Sequence, residues 1–304
     1  MSFELHERKH LERELVKVVR RELRHTVDVL TASAGGAIAE EAVHESRKSV
    51  KKVRAVAAFL EQAGTKPPRK ARRRLKAAAR ALSRLRDSAA IVETFDRLRH
   101  RYPKQLSEHT YSILRRGLAG SRDREHRRAQ RDGVVEEAVK HLKAARKSAR
   151  HWSSPSIEVA DIGGIVAASY RRSRVAMKRA RATKQSATLH NWRKEVKTLW
   201  YQLRLAKPLI VGVAPLVARL KRLETELGED HNLVVLAATL RGCRDLRTMR
   251  ASIRQISRLA ARTRQSRRRR VFAHARRLYV RTPEAFAGWI RGSVRPRPRR
   301  TAAA

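Results

Sequence analysis

The sequence predicts an all-α protein built from long antiparallel helices. Only 13 glycines and 9 prolines occur among its 304 residues, so few positions interrupt a helix. The stretches between them are rich in Ala, Leu, Arg and Lys, which favour helices, and their apolar residues recur three and four positions apart. Hydrophobic residues make up 41% of the chain, which is enough to form a core. We therefore expect a fold of packed helices.

Clusters of Gly, Pro, Ser and Thr divide the chain into about eight predicted helices. The predicted breaks lie at residues 33–36, 64–68, 102–103, 153–156, 183–186 and 207–215, and around Gly242. The break at 153–156 is the only loop-like stretch near the midpoint, so it is the predicted domain boundary. Residues 1–152 and 157–290 each form a predicted four-helix bundle, and residues 291–304, rich in Pro and Arg, form a predicted disordered basic tail.

The two halves resemble each other in sequence. Residues 43–51 and residues 189–197 both contain the pattern His-x-x-Arg-Lys-x-x-Lys, at an offset of 146 residues. Further along, the segment Leu82–Asp87 corresponds to Leu227–Asn232 at an offset of 145 residues. A duplicated four-helix unit, with its two copies related by a pseudo-twofold axis, is the simplest explanation.

The chain has a net charge of +45, because 73 Lys and Arg residues face only 28 Asp and Glu residues. Self-repulsion at this level indicates an anionic partner. In each copy of the motif the basic residues lie at i, i+3, i+4 and i+7, which is one face of a helix, and neighbouring like charges repel unless an anion neutralises them. The predicted anion-binding residues are therefore His44, Arg47, Lys48, Lys51 and Arg54 in the first half and His190, Arg193, Lys194 and Lys197 in the second.

The first helix of each half also carries cations opposite its apolar stripe. These are Lys17, Arg20, Arg21 and Arg24 in the first half and Arg171, Arg174 and Lys178 in the second. If the first two helices of each half are antiparallel neighbours, their basic faces line one groove per half, and the two grooves can join into a channel. Phosphate oxygens suit such a surface, because Arg offers a bidentate fork and Lys a mobile charge. We expect the surrounding cations to lower the pKa of the motif histidines and a bound phosphate chain to raise it again.

These residues resemble the CHAD domain family, a helical module named for its histidines. The resemblance rests on the two His-x-x-Arg-Lys-x-x-Lys helices and on Leu82–Asp87, and it covers residues 4–290. It implies two pseudo-symmetric four-helix bundles that enclose a basic surface for inorganic polyphosphate, often at intracellular polyphosphate granules. The motif residues named above would bind the polymer, together with Arg86. In the second half His231 stands at the position of Arg86, and we include it in the predicted site.

Nucleic acid is the first alternative partner, because any phosphate polymer is attracted by this charge. Single-strand binders usually stack bases on aromatic side chains, and only 5% of this chain is aromatic. No zinc-finger or RNP pattern is present. Nonspecific nucleic-acid binding therefore stays open as the alternative to polyphosphate binding.

A role as an accessory or catalytic subunit in phosphoanhydride metabolism is the second alternative. Hydrolysis of a phosphoanhydride normally recruits Mg²⁺ through clustered carboxylates, and the basic faces carry few of them. No Walker loop follows the Gly35–Gly36 or Gly163–Gly164 pair, and the single Cys243 excludes a multi-cysteine metal site. We predict binding without turnover, with no catalytic residue, no metal site and no cofactor.

The sequence also carries an expectation about location. Its longest apolar stretches are far shorter than the ~20 residues that a membrane-spanning helix needs. Residues 1–10 lack the apolar region of a secretory signal. We therefore expect a cytoplasmic protein without a membrane partner, located at polyphosphate granules if the family resemblance holds. The sequence does not indicate an oligomeric state.

Overall fold

A computed structural model gives the structure of the protein and describes residues 3–32, 39–65, 67–152 and 155–294. The α-helices in these ranges are α1 (Leu11–Ala32), α2 (Glu40–Gln62), α3 (Arg69–Arg101), α4 (Glu108–Arg131), α5 (Val134–Ala149), α6 (Ile162–Thr183), α7 (Ser186–Ala206), α8 (Ala214–Gly242), α9 (Arg250–Leu278) and α10 (Pro283–Gly292). The β-structure in these ranges is one isolated bridge between Ile210 and Val294. The prediction of an all-α fold is confirmed.

Two helix breaks were missed, so the described residues contain ten α-helices where about eight were predicted. Gly133 separates α4 from α5 with a left-handed φ of 59°, a conformation that costs glycine little. Before α10, the hydroxyl of Thr282 accepts a hydrogen bond from the backbone N–H of Ala285, and Pro283 follows as the first helical residue. Gly133 and the Thr282–Pro283 pair thus each mark the start of a helix that was not predicted as a separate element. The predicted break at 33–36 lies outside the described residues.

The two helices that carry the repeated motif lie side by side. Helix α2 packs against α1, α3 and α7, while α7 packs against α6, α8 and α2. At their contact the buried side-chain amide of Gln202 donates a hydrogen bond to the carbonyl of Ala55, at 3.2 Å. On α2, the apolar residues Val43, Val50 and Val53 are fully buried, as their spacing predicts. The motif faces of α2 and α7 are therefore brought close together.

The buried apolar residues form two clusters. The larger one includes residues of α1, α2, α3, α5, α6 and α7 and parts of α8, α9 and α10, so it draws on both halves of the chain. The smaller one lies where the end of α3, the start of α4, the end of α8 and the start of α9 meet, around Phe95, Leu114, Leu236 and Ile256. The shared core fixes α2 and α7 relative to each other.

The helix starts follow the offsets of the sequence repeat. Helices α2 and α7 begin at Glu40 and Ser186, which are 146 residues apart, and α3 and α8 begin at Arg69 and Ala214, which are 145 residues apart. The internal duplication and the division at residues 153–156 into two four-helix bundles stay predictions.

The chain remains folded slightly beyond residue 290. Helix α10 ends at Gly292, and the carbonyl of Ser293 accepts a hydrogen bond from the backbone N–H of Val211, at 2.7 Å. Residues 295–304, the remainder of the predicted basic tail, lie outside the described residues. Within the described ranges, no helix is both long enough and apolar enough to cross a membrane.

Candidate anion-binding cleft

A cleft of about 850 Å³ lies between α2 and α7, and α3 and α6 also contribute lining residues. Its lining is dominated by basic side chains from four helices. They are Arg47, Lys51 and Arg54 of α2, Arg72 and Lys76 of α3, Arg172 of α6, and His190, Arg193, Lys194 and Lys197 of α7. Two carboxylates also line it, and each is already paired: Glu61 with Arg72 at 2.7 Å and Glu195 with Arg172 at 3.2 Å.

The predicted basic stripe of α2 divides between two directions. Arg47, Lys51 and Arg54 line the cleft, whereas His44 and Lys48 are not among its lining residues. The ammonium of Lys48 instead donates a hydrogen bond to the carboxylate of Glu45, at 2.7 Å. The predicted stripe covers one face of α2, and only one edge of that face lies next to α7. Residues on the other edge therefore do not reach the cleft.

The predicted stripe of α7 lies entirely in the cleft, since His190, Arg193, Lys194 and Lys197 all line it. His231 of α8 stacks on His190 with the ring centroids 4.1 Å apart. Burial lowers the pKa of His190 to about 4, helped by His231 and by the charges of Lys194 and Arg193. The imidazole of His190 is therefore neutral at pH 7, and its Nδ1 is buried without a hydrogen-bond partner among the described residues. The pKa of His190 is thus lowered, as predicted for the motif histidines, but the main cause is burial and not the neighbouring cations.

Beneath the α7 side of the cleft, one buried carboxylate holds three cations. Glu224 of α8 is only 4% exposed, and its oxygens lie 3.0 Å from Arg193, 2.6 Å from Lys197 and 3.2 Å from Lys221. Burial alone would raise the pKa of Glu224, but the charges of Lys197, Arg193 and Lys221 outweigh it and hold the pKa at about 2. Glu224 was not predicted as a site residue. In the sequence, the only one of its three partners that lies nearby is Lys221, three positions earlier.

The buried lysines of the cleft differ in how strongly they hold a proton. Burial lowers the pKa of Lys51 to about 6, with further lowering by Lys197 and Arg47. Burial also lowers the pKa of Lys197, but the carboxylate of Glu224 opposes this, and the pKa stays at about 8. The α7 lysine therefore favours its charged form at neutral pH more strongly than the α2 lysine does.

Gly228 of α8 makes room for Arg193. A Cβ atom at this position would lie 2.8 Å from Nη2 and 3.1 Å from Nε of Arg193, closer than van der Waals contact allows. The absence of a side chain at Gly228 therefore lets the guanidinium lie against α8 and reach Glu224. No sequence pattern singled out this glycine, because it sits inside a helix and follows no turn signal.

The predicted basic face of α1 lines a different groove. Lys17, Arg20, Arg21 and Arg24, with His25, Asp28 and Lys52, border a space of about 660 Å³. Lys52, the α2 residue in this groove, pairs with the buried Glu22 of α1, at 3.0 Å. The expected groove required the α1 cations to lie together with Arg47 and Lys51. In the structure they line separate spaces, so this prediction was wrong.

On α6, the residue that lines the cleft is a neighbour of the predicted ones. Arg171, Arg174 and Lys178 do not line the cleft, and Arg171 pairs with Glu284 of α10, at 2.6 Å. Arg172 lines it, with its guanidinium 3.2 Å from Glu195 and 2.8 Å from the hydroxyl of Ser169. The helical wheel identified the face opposite the core, but the cleft borders the edge of α6 that lies next to α7.

Two further predicted positions lie on α3 and α8. The side chain of Arg86 is outside the described residues, although its backbone belongs to α3. On α8, the acidic residues beside His231 form salt bridges with α9: Asp230 lies 3.2 Å from both Arg264 and Arg268, and Glu229 pairs with Arg267. Within the described ranges, no three His, Cys, Asp or Glu residues are grouped as metal ligands.

The fold and the cleft together define a class: all-helical proteins in which two motif helices gather basic side chains around one cleft. The sequence matches the family model described as CHAD domain over residues 17–241, which is more than half of the chain. The chain therefore belongs to the CHAD domain family, as its two His-x-x-Arg-Lys-x-x-Lys motifs indicated.

A solved structure of the same family is similar in fold. The crystal structure of the CHAD domain from the plant Ricinus communis matches with a TM-score of 0.54, covering 93% of this chain and 94% of the plant chain. The two sequences are 15% identical, so the likeness supports the shared fold alone. A search of curated proteins found no match.

Proposed function

We propose that this protein binds inorganic polyphosphate in the cleft between α2 and α7. The observation that supports the proposal is the meeting of two basic stripes, distant in sequence, around one space of about 850 Å³. Arg47 and Arg193 offer planar forks for phosphate oxygens, while Lys51 and Lys197 supply mobile charges. A linear phosphate polymer presents an anionic group at every unit, so it can engage both stripes at once.

The lining of the cleft favours a polymer without bases. Tyr201 is the one aromatic residue among the described residues that line it, and its ring packs against Phe3 and Trp200. Proteins that bind single strands usually offer several aromatic platforms for stacking. Recognition in this cleft therefore rests on phosphate charge and not on base contacts.

Nonspecific nucleic-acid binding is the second candidate, and it is supported by a different surface. Helix α9 contains no Asp or Glu and exposes Arg254, Arg258 and Arg262 at successive turns. An exposed row of arginines suits the outer phosphates of a duplex. Such contacts do not depend on the base sequence. This surface lies on α9, which does not contribute to the cleft.

We further propose that the cleft binds its ligand without turnover. Phosphoanhydride hydrolysis uses clustered carboxylates to hold Mg²⁺ against the phosphates. The two carboxylates on the described lining, Glu61 and Glu195, are engaged by Arg72 and Arg172. Incubation of the protein with polyphosphate and Mg²⁺ should leave the chain-length distribution on a gel unchanged; progressive shortening would contradict this.

A competition assay tests the choice of ligand. Long-chain polyphosphate, duplex DNA, RNA and orthophosphate are compared at equal phosphate concentration and about 0.15 M salt, where exposed charges are screened. We expect polyphosphate to bind most tightly, because it alone carries dense charge without bulky bases. Tighter binding of DNA or RNA would overturn the proposal and favour the α9 surface.

The proposed ligand implies a location at cytoplasmic polyphosphate granules. A fluorescent fusion of the full chain should form foci in cells that accumulate polyphosphate and stay diffuse in cells that lack the polymer. Foci that persist without polyphosphate would show that another partner localises the protein.

A further inference from the structure

The α7 side of the cleft contains a complete cluster of three cations and one anion. Arg193 and Lys197 of α7 and Lys221 of α8 converge on the carboxylate of Glu224, at distances of 2.6 to 3.2 Å. Because three basic groups point at one position, that position is an anion site, and the protein fills it with its own side chain.

The α2 side contains the same three cations but has no carboxylate at the position that corresponds to Glu224. At the repeat offsets of 146 for α2 with α7 and 145 for α3 with α8, Arg47, Lys51 and Lys76 correspond to the three cations above. All three line the cleft. The residue that corresponds to Glu224 is Ala79. Ala79 lies on the face of α3 that borders the cleft, because Lys76 and Ser83, three positions before and four after it, both line the cleft.

Among the described residues, no carboxylate forms an ion pair with either lysine of this half. Lys51 is largely buried, and neither Lys51 nor the exposed Lys76 makes a hydrogen bond or an ion pair with any residue that the structure describes. A buried ammonium group without a partner is unfavourable, because it has lost water and gained no counterion. An anion from outside the chain would remove this cost.

We propose that Arg47, Lys51 and Lys76 form the primary phosphate subsite of the cleft, where a phosphate group of the ligand takes the place that the Glu224 carboxylate fills on the α7 side. This inference rests on the proposed polyphosphate function and adds which side of the cleft binds the polymer first. The polymer is held first at the α2 side, and the α7 cations, already partly neutralised by Glu224, bind the adjoining units.

We expect the protein to take up a proton when a phosphate group binds at this subsite. Lys51 is faced by Arg47 on its own helix, by Arg193 and Lys197 on α7 and by Glu224 on α8. Cations outnumber the single carboxylate, so the protein itself favours the neutral amine, and a phosphate oxygen beside it favours the ammonium. Affinity should therefore rise as pH falls from about 8 to about 6, with proton uptake on binding.

Substitution at Ala79 tests the subsite directly. Ala79→Glu supplies the missing carboxylate, and Ala79→Gln adds a side chain of the same size without charge. We expect Ala79→Glu to weaken long-chain polyphosphate binding at least about tenfold, while Ala79→Gln stays within about threefold of wild type. Equal affinity of Ala79→Glu and wild type, or an equal loss in both variants, would overturn the subsite. Far-ultraviolet circular dichroism and thermal unfolding check that both variants fold.

Substitution at Lys51 gives an independent test that does not alter α3. Lys51→Arg keeps a permanent charge, so it should retain binding while losing the proton uptake that calorimetry in buffers of different ionisation enthalpy measures. Lys51→Met should lose at least about tenfold in affinity. Unchanged affinity in Lys51→Met, or unchanged proton uptake in Lys51→Arg, would contradict the proposal.

The outcomes separate the two proposals. If the wild-type protein fails to bind polyphosphate, the proposed function is wrong, whatever the variants do. If the wild-type protein binds and neither Ala79→Glu nor Lys51→Met weakens binding, the function stands and only the primary subsite is wrong.

Discussion

Arg193 depends on the residues around it more than on its own position in a motif. Its guanidinium reaches Glu224 only because α8 has a glycine where the side chain crosses. A second nitrogen, Nε, lies 3.1 Å from the position of a Cβ atom at Gly228 and is buried without a hydrogen-bond partner among the described residues. The orientation of this arginine is therefore set by α8 and not by α7.

Gly228→Ala should weaken polyphosphate binding about tenfold while leaving the fold intact. The added methyl group would lie 2.8 Å from Arg193 Nη2, so the guanidinium must move. Alanine favours a helix over glycine by up to ~1 kcal/mol, so the thermal midpoint should not fall far. Isothermal titration and thermal unfolding measure the two effects. Gly164→Ala on α6 is the matched control, since nothing lies within 4 Å of its added Cβ. Equal affinity of Gly228→Ala and Gly164→Ala would show that the Arg193 position does not matter.

Glu224→Gln should destabilise the protein in a pH-dependent way. The pKa of Glu224 falls from 4.5 to about 2 in the folded protein, so its ionised form contributes stability above pH 4.5 that is lost as pH falls through about 2. The shift corresponds to about 3 kcal/mol of free energy of unfolding at pH 7. Urea unfolding at several pH values measures the difference between wild type and variant. The difference should shrink between pH 4.5 and about 2; a constant difference would mean that charge is not its cause.

At the scale of helices, the repeated motif marks the right elements but only some of the right side chains. All four motif residues of α7 line the cleft. On α2, Lys48 pairs with Glu45 and lies outside the cleft. Arg54, one turn beyond the motif, lines the cleft instead. A helical wheel gives the face on which a residue lies. Which edge of that face meets a neighbouring helix is decided by packing, here by the contact of α2 with α7.

Arg54 and Lys48 therefore form a matched pair for testing the cleft. Both carry one positive charge on α2, but only Arg54 lines the cleft. We expect Arg54→Gln to weaken polyphosphate binding about threefold or more and Lys48→Gln to change it by less than about twofold, because only a direct contact is lost in the first case. Fluorescence anisotropy with labelled polyphosphate gives both affinities. The opposite order would move the site to the α1 side of α2.

The helical class and the two motif helices could be predicted from the sequence because both depend on local patterns. The roles of Arg172, Glu224 and Gly228 could not, since they depend on which helices touch. The prediction that the α1 cations share a groove with the α2 stripe was wrong, because they line a separate groove. The ion pair of Arg171 with Glu284 joins α6 to a tenth helix that the sequence analysis did not separate from α9.

For the molecule as a whole, the net charge of +45 favours association with any polyanion. Basic residues outside the cleft, including those of α9 and of residues 295–304, add to this long-range attraction. Under the proposed function, contacts at Arg47 and Arg193 are expected to determine how long the polymer stays bound.

Removing residues 295–304 should therefore change polyphosphate affinity less than replacing Arg47 and Arg193 by Ala. The deletion removes Arg295, Arg297, Arg299 and Arg300 but leaves the cleft complete, so we expect a loss within about threefold, against more than about tenfold for the double variant. Titrations at several salt concentrations compare the two proteins. A larger loss on truncation would transfer the site to the tail.

The larger apolar core has a consequence for how the site arises during synthesis. Helix α2 supplies one wall of the cleft, and α7 supplies the other more than a hundred residues later. A nascent chain that has emerged only as far as α5 therefore holds the cations of α2 and α3 without the opposite wall. The cleft forms only when α7 docks beside α2, so under the proposed function tight capture of a phosphate polymer begins after that step and not earlier in synthesis.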